Sequence, residues 1–83
     1  MVIDLRNQRL ININTIELNK TETKIIALLS DNAYHNIDEI MAYTQNRNSP
    51  KVLNELIDKY DFLLHFSKKR GTGYRIQEKI YIK

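Results

Sequence analysis

The sequence predicts an α+β domain with short antiparallel strands first, then three helices, then a C-terminal β-hairpin. Three observations predict this order. Apolar and polar side chains alternate in residues 1–18, apolar side chains recur every three or four positions in residues 19–61, and alternation returns in residues 62–83 around the turn "GTG". The chain has 83 residues and no segment with the composition of a linker, so we expect one domain.

The N-terminal segment is predicted to form two or three short strands. Its alternating apolar positions are Ile3, Leu5, Leu10 or Ile11, Ile13, Ile16 and Leu18. The polar pairs Asn7-Gln8 and Asn14-Thr15 separate the apolar runs and mark turns. Neither turn contains glycine, so we expect asparagine to take the left-handed backbone conformation there.

Two helix starts carry the same capping pattern. Asn19 precedes Glu22 by three residues and Asn36 precedes Glu39 by three residues, which is the spacing of a capping box. The first helix is predicted over residues 20–30, and the second is short and ends near Thr44.

The third helix is predicted to begin with Ser49 as its N-cap and Pro50 in the first helical position, where proline is well tolerated. Its apolar stripe ends near Asp61, after which "FLLHFSKKR" is predicted as a strand. The return strand then presents one apolar face formed by Tyr74, Ile76, Ile80 and Ile82. The predicted core joins the helices to the hairpin through Ile25, Leu28, Leu29, Ile40, Met41, Leu53, Ile57 and Ile76.

The composition excludes several classes of function. There is no cysteine for a disulfide or a thiolate metal site, and no run of about 18 apolar residues for a membrane span. His35 and His65 are isolated, and helix capping accounts for Glu22, Asp38 and Glu39, so no catalytic or metal-binding set is indicated. We therefore expect a cytoplasmic protein that is not an enzyme and has no cofactor, metal, membrane or small-molecule ligand.

The hairpin turn is the most basic part of a chain whose net charge is only +3. Lys68, Lys69, Arg70 and Arg75 surround it, with Thr72 at its centre. Charge runs are often no more than a solvated edge, and the turn lacks the longer glycine pattern of a nucleotide-binding loop. A thin basic tip does suit a minor groove about 6 Å wide, and A·T-rich grooves attract arginine. These residues are therefore candidate DNA contacts.

A second set of candidate DNA contacts surrounds the start of the third helix: Arg47, Asn48, Ser49, Lys51 and Asn54. Asparagine pairs with adenine and arginine with guanine in the major groove, and a helix N-terminus attracts phosphate. The alternative is that Asn46 and Asn48 only build the turn before this helix. The outward charges of this helix cancel, however, since two lysines stand beside two acidic residues. We therefore expect the hairpin to supply most of the electrostatic affinity.

Two motifs resemble the OmpR/PhoB-type winged helix-turn-helix domain of response regulators. "IELNKTETKIIALL" is similar to that family's strand leading into a first helix, and "RGTGYRI" to its arginine-glycine-any-glycine-tyrosine-arginine wing. The resemblance covers nearly the whole chain and implies a winged helix that binds DNA. Because no receiver domain precedes the motifs in this sequence, we expect no control by phosphorylation of such a domain.

The combined expectation is a small protein that recognises a specific, A·T-rich site on double-stranded DNA, with the wing as main contact. It would act as a transcriptional regulator, or as an accessory factor that marks a plasmid or phage site such as a transfer or replication origin. The alternative is a winged-helix module that binds proteins and not DNA. A second copy on the same DNA is a further expectation, since Ile80 and Ile82 are predicted in an edge-like strand. Lys79 and Lys83 flank that strand, as is typical of edges that stay unpaired, and favour a monomer in the absence of DNA.

Overall fold

The computed structural model describes residues 1–83 and confirms the predicted α+β class. Three strands, β1 (Val2–Asp4), β2 (Arg9–Ile11) and β3 (Thr15–Glu17), precede three helices, α1 (Lys20–Leu29), α2 (Ile37–Thr44) and α3 (Ser49–Leu64). The chain then forms β4 (Phe66–Lys69), β5 (Gly73–Ile76) and β6 (Tyr81–Ile82). Strands β4 and β5 pair as the predicted C-terminal hairpin, the basic hairpin (residues 66–76).

The N-terminal strands form a sheet with β6, in the order β3-β2-β1-β6. Strand β2 runs antiparallel to both β1 and β3, whereas β6 lies parallel to β1. Ile3 and Leu10 lie opposite each other and are fully buried, so this face of the sheet closes the core. In the first turn Gln8, and not an asparagine, takes the left-handed conformation (φ 54°), while Asn7 donates two hydrogen bonds to the Asp4 carboxylate.

Both asparagine caps are confirmed. Asn19 accepts a hydrogen bond from the backbone N–H of Glu22 at 2.8 Å, and the Glu22 carboxylate accepts from the N–H of Asn19 at 2.9 Å, which completes a capping box. Asn36 caps α2 by accepting from the N–H of Glu39 at 2.8 Å. The Glu39 carboxylate does not return to Asn36 and bonds the ring of His35 instead. Helix α2 therefore has only one of the two hydrogen bonds of the predicted capping box.

The predicted cap of α3 is wrong. Ser49 lies inside the helix and is fully buried, and its hydroxyl forms a hydrogen bond with the hydroxyl of Thr44 at the end of α2. Asn48 takes the N-cap position without a capping side-chain bond. Its N–H donates to the Asn46 side chain, which builds the turn between the helices. A buried hydroxyl needs a partner, and Thr44 supplies it from the preceding helix.

The predicted end of the third helix is also wrong. Helix α3 continues past Asp61 to Leu64, whose fully buried side chain extends the apolar stripe by almost one turn. His65 then ends the helix in a left-handed conformation (φ 51°), and its N–H donates to the carbonyl of Asp61 at 2.8 Å. A short apolar run fits a strand or a buried helical turn equally well, which explains the error.

The basic hairpin is shorter than the predicted hairpin of residues 62–83. It ends at Ile76, where the side-chain amide of Asn32 donates to the carbonyls of Ile76 and Glu78, each at 2.8 Å. Beyond Ile76 the N–H groups of Gln77 and Glu78 donate to the carbonyls of His65 and Leu64, because α3 and its cap occupy the positions where β4 would have to continue. Residues Tyr81–Ile82 leave the hairpin and pair with β1, so Ile80 and Ile82 do not continue its apolar face.

The core joins the sheet, the helices and the basic hairpin. Five predicted core residues are fully buried: Ile25, Leu29, Ile40, Leu53 and Ile76. Leu28 and Ile57 are partly buried against this core, whereas Met41 is half-buried outside it, because α2 turns Ile40 and Thr44 inward. The list of predicted core residues did not include five further residues that are fully buried: Ile3, Leu10, Ile26, Leu56 and Leu64.

Replacing Leu29 with alanine should lower the free energy of unfolding by about 2–5 kcal/mol, because this side chain is fully buried in the core. Ile13→Ala is the matched control, since Ile13 is 95% exposed and its truncation should change stability by no more than about 0.5 kcal/mol. Urea denaturation followed by circular dichroism measures both variants. A loss as small as the control's in Leu29→Ala would contradict the buried face assigned to α1.

Candidate nucleic-acid interface

The two faces of the basic hairpin have different surroundings. Lys68 lies opposite Tyr74 in the strand register, and Ser67 lies opposite Arg75. Because side chains alternate along a strand, Lys68 and Tyr74 share one face, and this face turns toward Asn54 on α3. The Lys68 ammonium lies 5.3 Å from the centre of the Tyr74 ring. Ser67 and Arg75 belong to the opposite face.

The basic hairpin is fixed to the helices by a backbone pairing outside its own two strands. The N–H of His35 donates to the carbonyl of Tyr74 at 2.8 Å, and the N–H of Tyr74 donates to the carbonyl of His35 at 2.9 Å. Gly73 permits this approach, because a Cβ there would lie 2.1 Å from the His35 carbonyl oxygen. Its φ of 128° is also one that residues with side chains rarely adopt. The connection between α1 and α2 thus lies against β5 like a third strand.

The His35 side chain is buried between two carboxylates. Its Nδ1 lies 2.6 Å from Glu39 Oε2, and its Nε2 lies 2.9 Å from both Asp31 oxygens. Burial disfavours the imidazolium, but the hydrogen bonds and negative charges of Asp31 and Glu39 outweigh burial and raise the pKa of His35. Burial also opposes ionisation of Asp31, yet hydrogen bonds from the Ala33 N–H and from His35 lower the pKa of that carboxyl.

An open cleft of about 390 Å³ lies between the tip of the basic hairpin and the first turns of α2 and α3. This basic cleft is lined by Lys68, Lys69, Arg70, Gly71, Thr72, Gly73 and Tyr74 from the hairpin, and by Asn36, Ile37, Pro50 and Asn54 from the helices. Its lining contains no carboxylate, and none of its three cations forms an ion pair. The basic cleft is therefore a concentrated positive surface.

Arg75 is a predicted contact that the structure places elsewhere. Its guanidinium lies 5.5 Å from the centre of the Tyr34 ring, and its Nε is buried without a hydrogen-bond partner. Tyr34 is held in turn by a hydrogen bond of 3.2 Å between its hydroxyl and that of Ser67. Arg75 therefore packs behind the hairpin and does not line the basic cleft.

The predicted contacts at the start of α3 are only partly brought to the basic cleft. Asn54 lines it, whereas Lys51 is exposed beside it on the helix surface. Arg47 and Asn48 are exposed in the turn between α2 and α3, outside the cleft lining. Ser49 is fully buried, so its hydroxyl is not accessible to a ligand. The structure therefore joins Asn54 to the hairpin cations in one surface.

Some residues of the interface carry little signal in the sequence. Asn36 and Ile37 line the basic cleft, although the pattern identifies Asn36 only as a helix cap. His35 has no local signal as the anchor of β5, because its partner lies far along the chain. The spacing of Asp31, His35 and Glu39 at intervals of four is the one feature that indicates a bonded cluster.

Comparison with protein-family models, curated proteins and solved structures finds no significant match for this chain. None of the helices combines the length and the apolar character needed to cross a membrane. No group of histidine and acidic side chains is arranged to hold a metal ion.

Gly73→Ala should detach the basic hairpin from the helices, because the added Cβ collides with the His35 carbonyl. Hydrogen exchange should show a large loss of protection at the Tyr74 amide. Gly71→Ala is the matched control: its φ of 80° is also left-handed, but no atom lies within 4 Å of the added Cβ. That variant should lose about 1–2 kcal/mol of stability and keep the Tyr74 amide protected. Equal loss of Tyr74 protection in both variants would contradict the role given to the His35 contact.

Proposed function

We propose that this protein binds double-stranded DNA and recognises a specific site, with the basic hairpin as its main contact. The observation that carries the proposal is the basic cleft, in which Lys68, Lys69 and Arg70 are exposed and lack ion-pair partners. Unpaired, clustered cations interact strongly with a polyanion, because they neutralise phosphates and release the counterions bound there. Duplex DNA is the polyanion that best fits the shape of this surface.

The shape of the hairpin tip favours a duplex groove over a single nucleotide. The turn is narrow, since the Thr72 N–H donates to the Lys69 carbonyl at 3.0 Å and Gly71 adds no side chain. A tip of this kind suits a minor groove about 6 Å wide. Narrow A·T-rich grooves have enhanced negative potential and accept arginine, so Arg70 is the side chain proposed to enter. The preferred site is accordingly A·T-rich.

Helix α3 is proposed to contact the same duplex more weakly. Asn54 faces the basic cleft, and asparagine can form two hydrogen bonds with adenine. Lys51, Glu55, Asp58 and Lys59 are all exposed on this helix. Because these charges cancel, α3 adds little electrostatic affinity, and its proposed contribution is to sequence preference.

The proposed framework is a winged helix-turn-helix of OmpR/PhoB type. Its support is the order of elements, in which α2, a turn and α3 precede the basic hairpin, and the motif "RGTGYRI" at the hairpin tip. Two roles fit this framework: a transcriptional regulator, or an accessory factor that marks a plasmid or phage site such as a transfer or replication origin. Sequencing of genomic fragments selected by the protein distinguishes them, because promoters are recovered in the first case and origins in the second.

A protein-interaction module without DNA binding is the second candidate function. The observation that favours it is a separate cleft of about 270 Å³ near the end of α3, where Ile13 is 95% exposed and Phe62 is 75% exposed. Exposed apolar side chains in a cluster are typical of contacts with other proteins. This candidate gives no role to the unpaired cations of the basic cleft, and for that reason DNA binding is preferred.

A mobility-shift titration with an A·T-rich duplex at low salt, in the presence of competitor DNA, tests the proposal. A complex should form below about 10 µM protein, and failure to bind there would favour the protein-interaction module.

Sedimentation of the same complexes measures how many copies of the protein bind each duplex. Strand β6 leaves one sheet edge open, with Tyr81 and Ile82 each 56% exposed, and we propose that a second copy binds beside the first. A single copy on every bound duplex would exclude the binding of a second copy.

Arg70→Ala should weaken DNA binding by about 1–3 kcal/mol and reduce the preference for A·T-rich sites, because this side chain is proposed to enter the groove. Lys68→Ala and Lys69→Ala should weaken binding to all sequences alike. Each should also reduce the slope of log K against log salt by about 0.9 for one lost phosphate contact. Fluorescence anisotropy over a salt series measures these effects.

The matched control is Arg6→Ala, since Arg6 is an exposed cation between β1 and β2 that does not line the basic cleft. Its removal should leave binding nearly unchanged. Glu55→Ala and Asp58→Ala should leave binding unchanged or tighten it, because each removes a negative charge from α3. Normal binding by the hairpin variants, together with loss of binding in Asn54→Ala, would identify α3 as the main contact and contradict the proposal.

A further inference from the structure

His35 lies where the helices meet the basic hairpin, and it is only 8% exposed. Its backbone pairs with Tyr74 through two hydrogen bonds, and its carbonyl oxygen occupies the space that a side chain at Gly73 would need. It is also the residue immediately before Asn36, the cap of α2, which itself lines the basic cleft. The position of the hairpin tip relative to the helices therefore depends on how firmly His35 is held.

The hydrogen bonds of the His35 ring require both of its nitrogens to carry hydrogen. An ionised carboxylate accepts hydrogen bonds and donates none, and the ring meets one carboxylate on each side. Glu39 lies 2.6 Å from Nδ1, and Asp31 lies 2.9 Å from Nε2. A neutral ring carries only one hydrogen, so its lone pair would face a carboxylate oxygen and that contact would become repulsive.

The other charged groups around His35 do not replace its proton. Asp31 in the α1–α2 connection and Glu39 in the first turn of α2 are both acidic and bond the ring directly. The remaining charged residues of α2, β4 and β5 are exposed or stacked elsewhere: Asp38 and Lys69 in solvent, Lys68 over Tyr74, and Arg75 over Tyr34. On α1, the buried Glu22 bonds Asn19 at the opposite end of the helix, and Lys24 lies beside Leu5. The proton on His35 is therefore the positive charge that both carboxylates share.

We infer that His35 is a positioning residue for DNA binding: its proton holds the basic hairpin against the helices, and loss of that proton releases the hairpin and weakens DNA affinity. The inference rests on the proposed function. The pKa of His35 is raised in the folded protein above the value of about 6.5 in an unfolded chain. The stabilisation is then complete below about pH 6.5 and is lost as the pH rises through the folded-state pKa.

The test measures DNA affinity and the protection factor of the Tyr74 amide in the same protein, from about pH 6 to about pH 9. The DNA affinity and the protection factor should fall together as the pH rises, and the affinity should decrease by about fivefold or more. Glu39→Gln should move both midpoints to lower pH, because it removes a carboxylate from the ring and leaves the backbone cap of α2 intact. His65→Gln is the matched control, since His65 bonds Glu78 and takes no part in this cluster. In this variant the DNA affinity and the Tyr74 protection factor should depend on pH as they do in the wild type.

A Tyr74 protection factor that does not change with pH would overturn the inference, whether or not the protein binds DNA. The inference would also be overturned if the midpoints of the two pH profiles were the same in Glu39→Gln as in the wild type. If Tyr74 protection follows pH as expected but no DNA binds at any pH, the proposed function fails, and the coupling between His35 and the hairpin is still supported by the exchange data. A fall in DNA affinity that is unchanged in Glu39→Gln would assign the pH dependence to another group and contradict the role of His35.

Discussion

The backbone pairing between His35 and Tyr74 is the contact on which the rest of this structure depends. Strands β4 and β5 form only a two-stranded sheet, and an isolated hairpin is marginally stable in water. The pairing places a third strand-like segment beside β5, while the buried Ile76 anchors the same strand in the core. Gly73 is required at this point because no side chain fits against the His35 carbonyl. The direction of the hairpin tip, and with it the shape of the basic cleft, follows from these attachments.

The attached hairpin separates charges that stand close together in the sequence. Arg75 follows the basic run by a few residues, but strand alternation turns it to the opposite face, against Tyr34. Lys68, Lys69 and Arg70 remain around a cleft that no carboxylate lines. A net charge of only +3 is thus compatible with a strongly basic local surface, and this local excess is what supports the proposed DNA binding.

Features that depend on near neighbours, and the apolar faces that meet in the core, could be predicted from the sequence, whereas the specific pairings between distant segments could not. The caps Asn19 and Asn36 and the left-handed turn at Gly71 involve residues only a few positions apart, so the pattern displays them directly. The hairpin cations of the candidate site were predictable for the same reason. The pairing of β6 with β1 joins the two ends of the chain, and no periodicity within either segment specifies it. Ser49 was misplaced because its partner, Thr44, approaches it only when α2 and α3 have packed.

A titration of isotope-labelled protein with an A·T-rich duplex, followed for every backbone amide by NMR, tests the central claim most directly. If the basic cleft is the DNA-binding surface, the largest shifts will fall on Asn36, Asn54 and residues 68–74. The signals of Ile13 and Phe62, which line the separate apolar cleft, will stay in place. Shifts centred on that apolar cleft, or an unchanged spectrum with excess duplex at low salt, would contradict DNA binding through the basic hairpin.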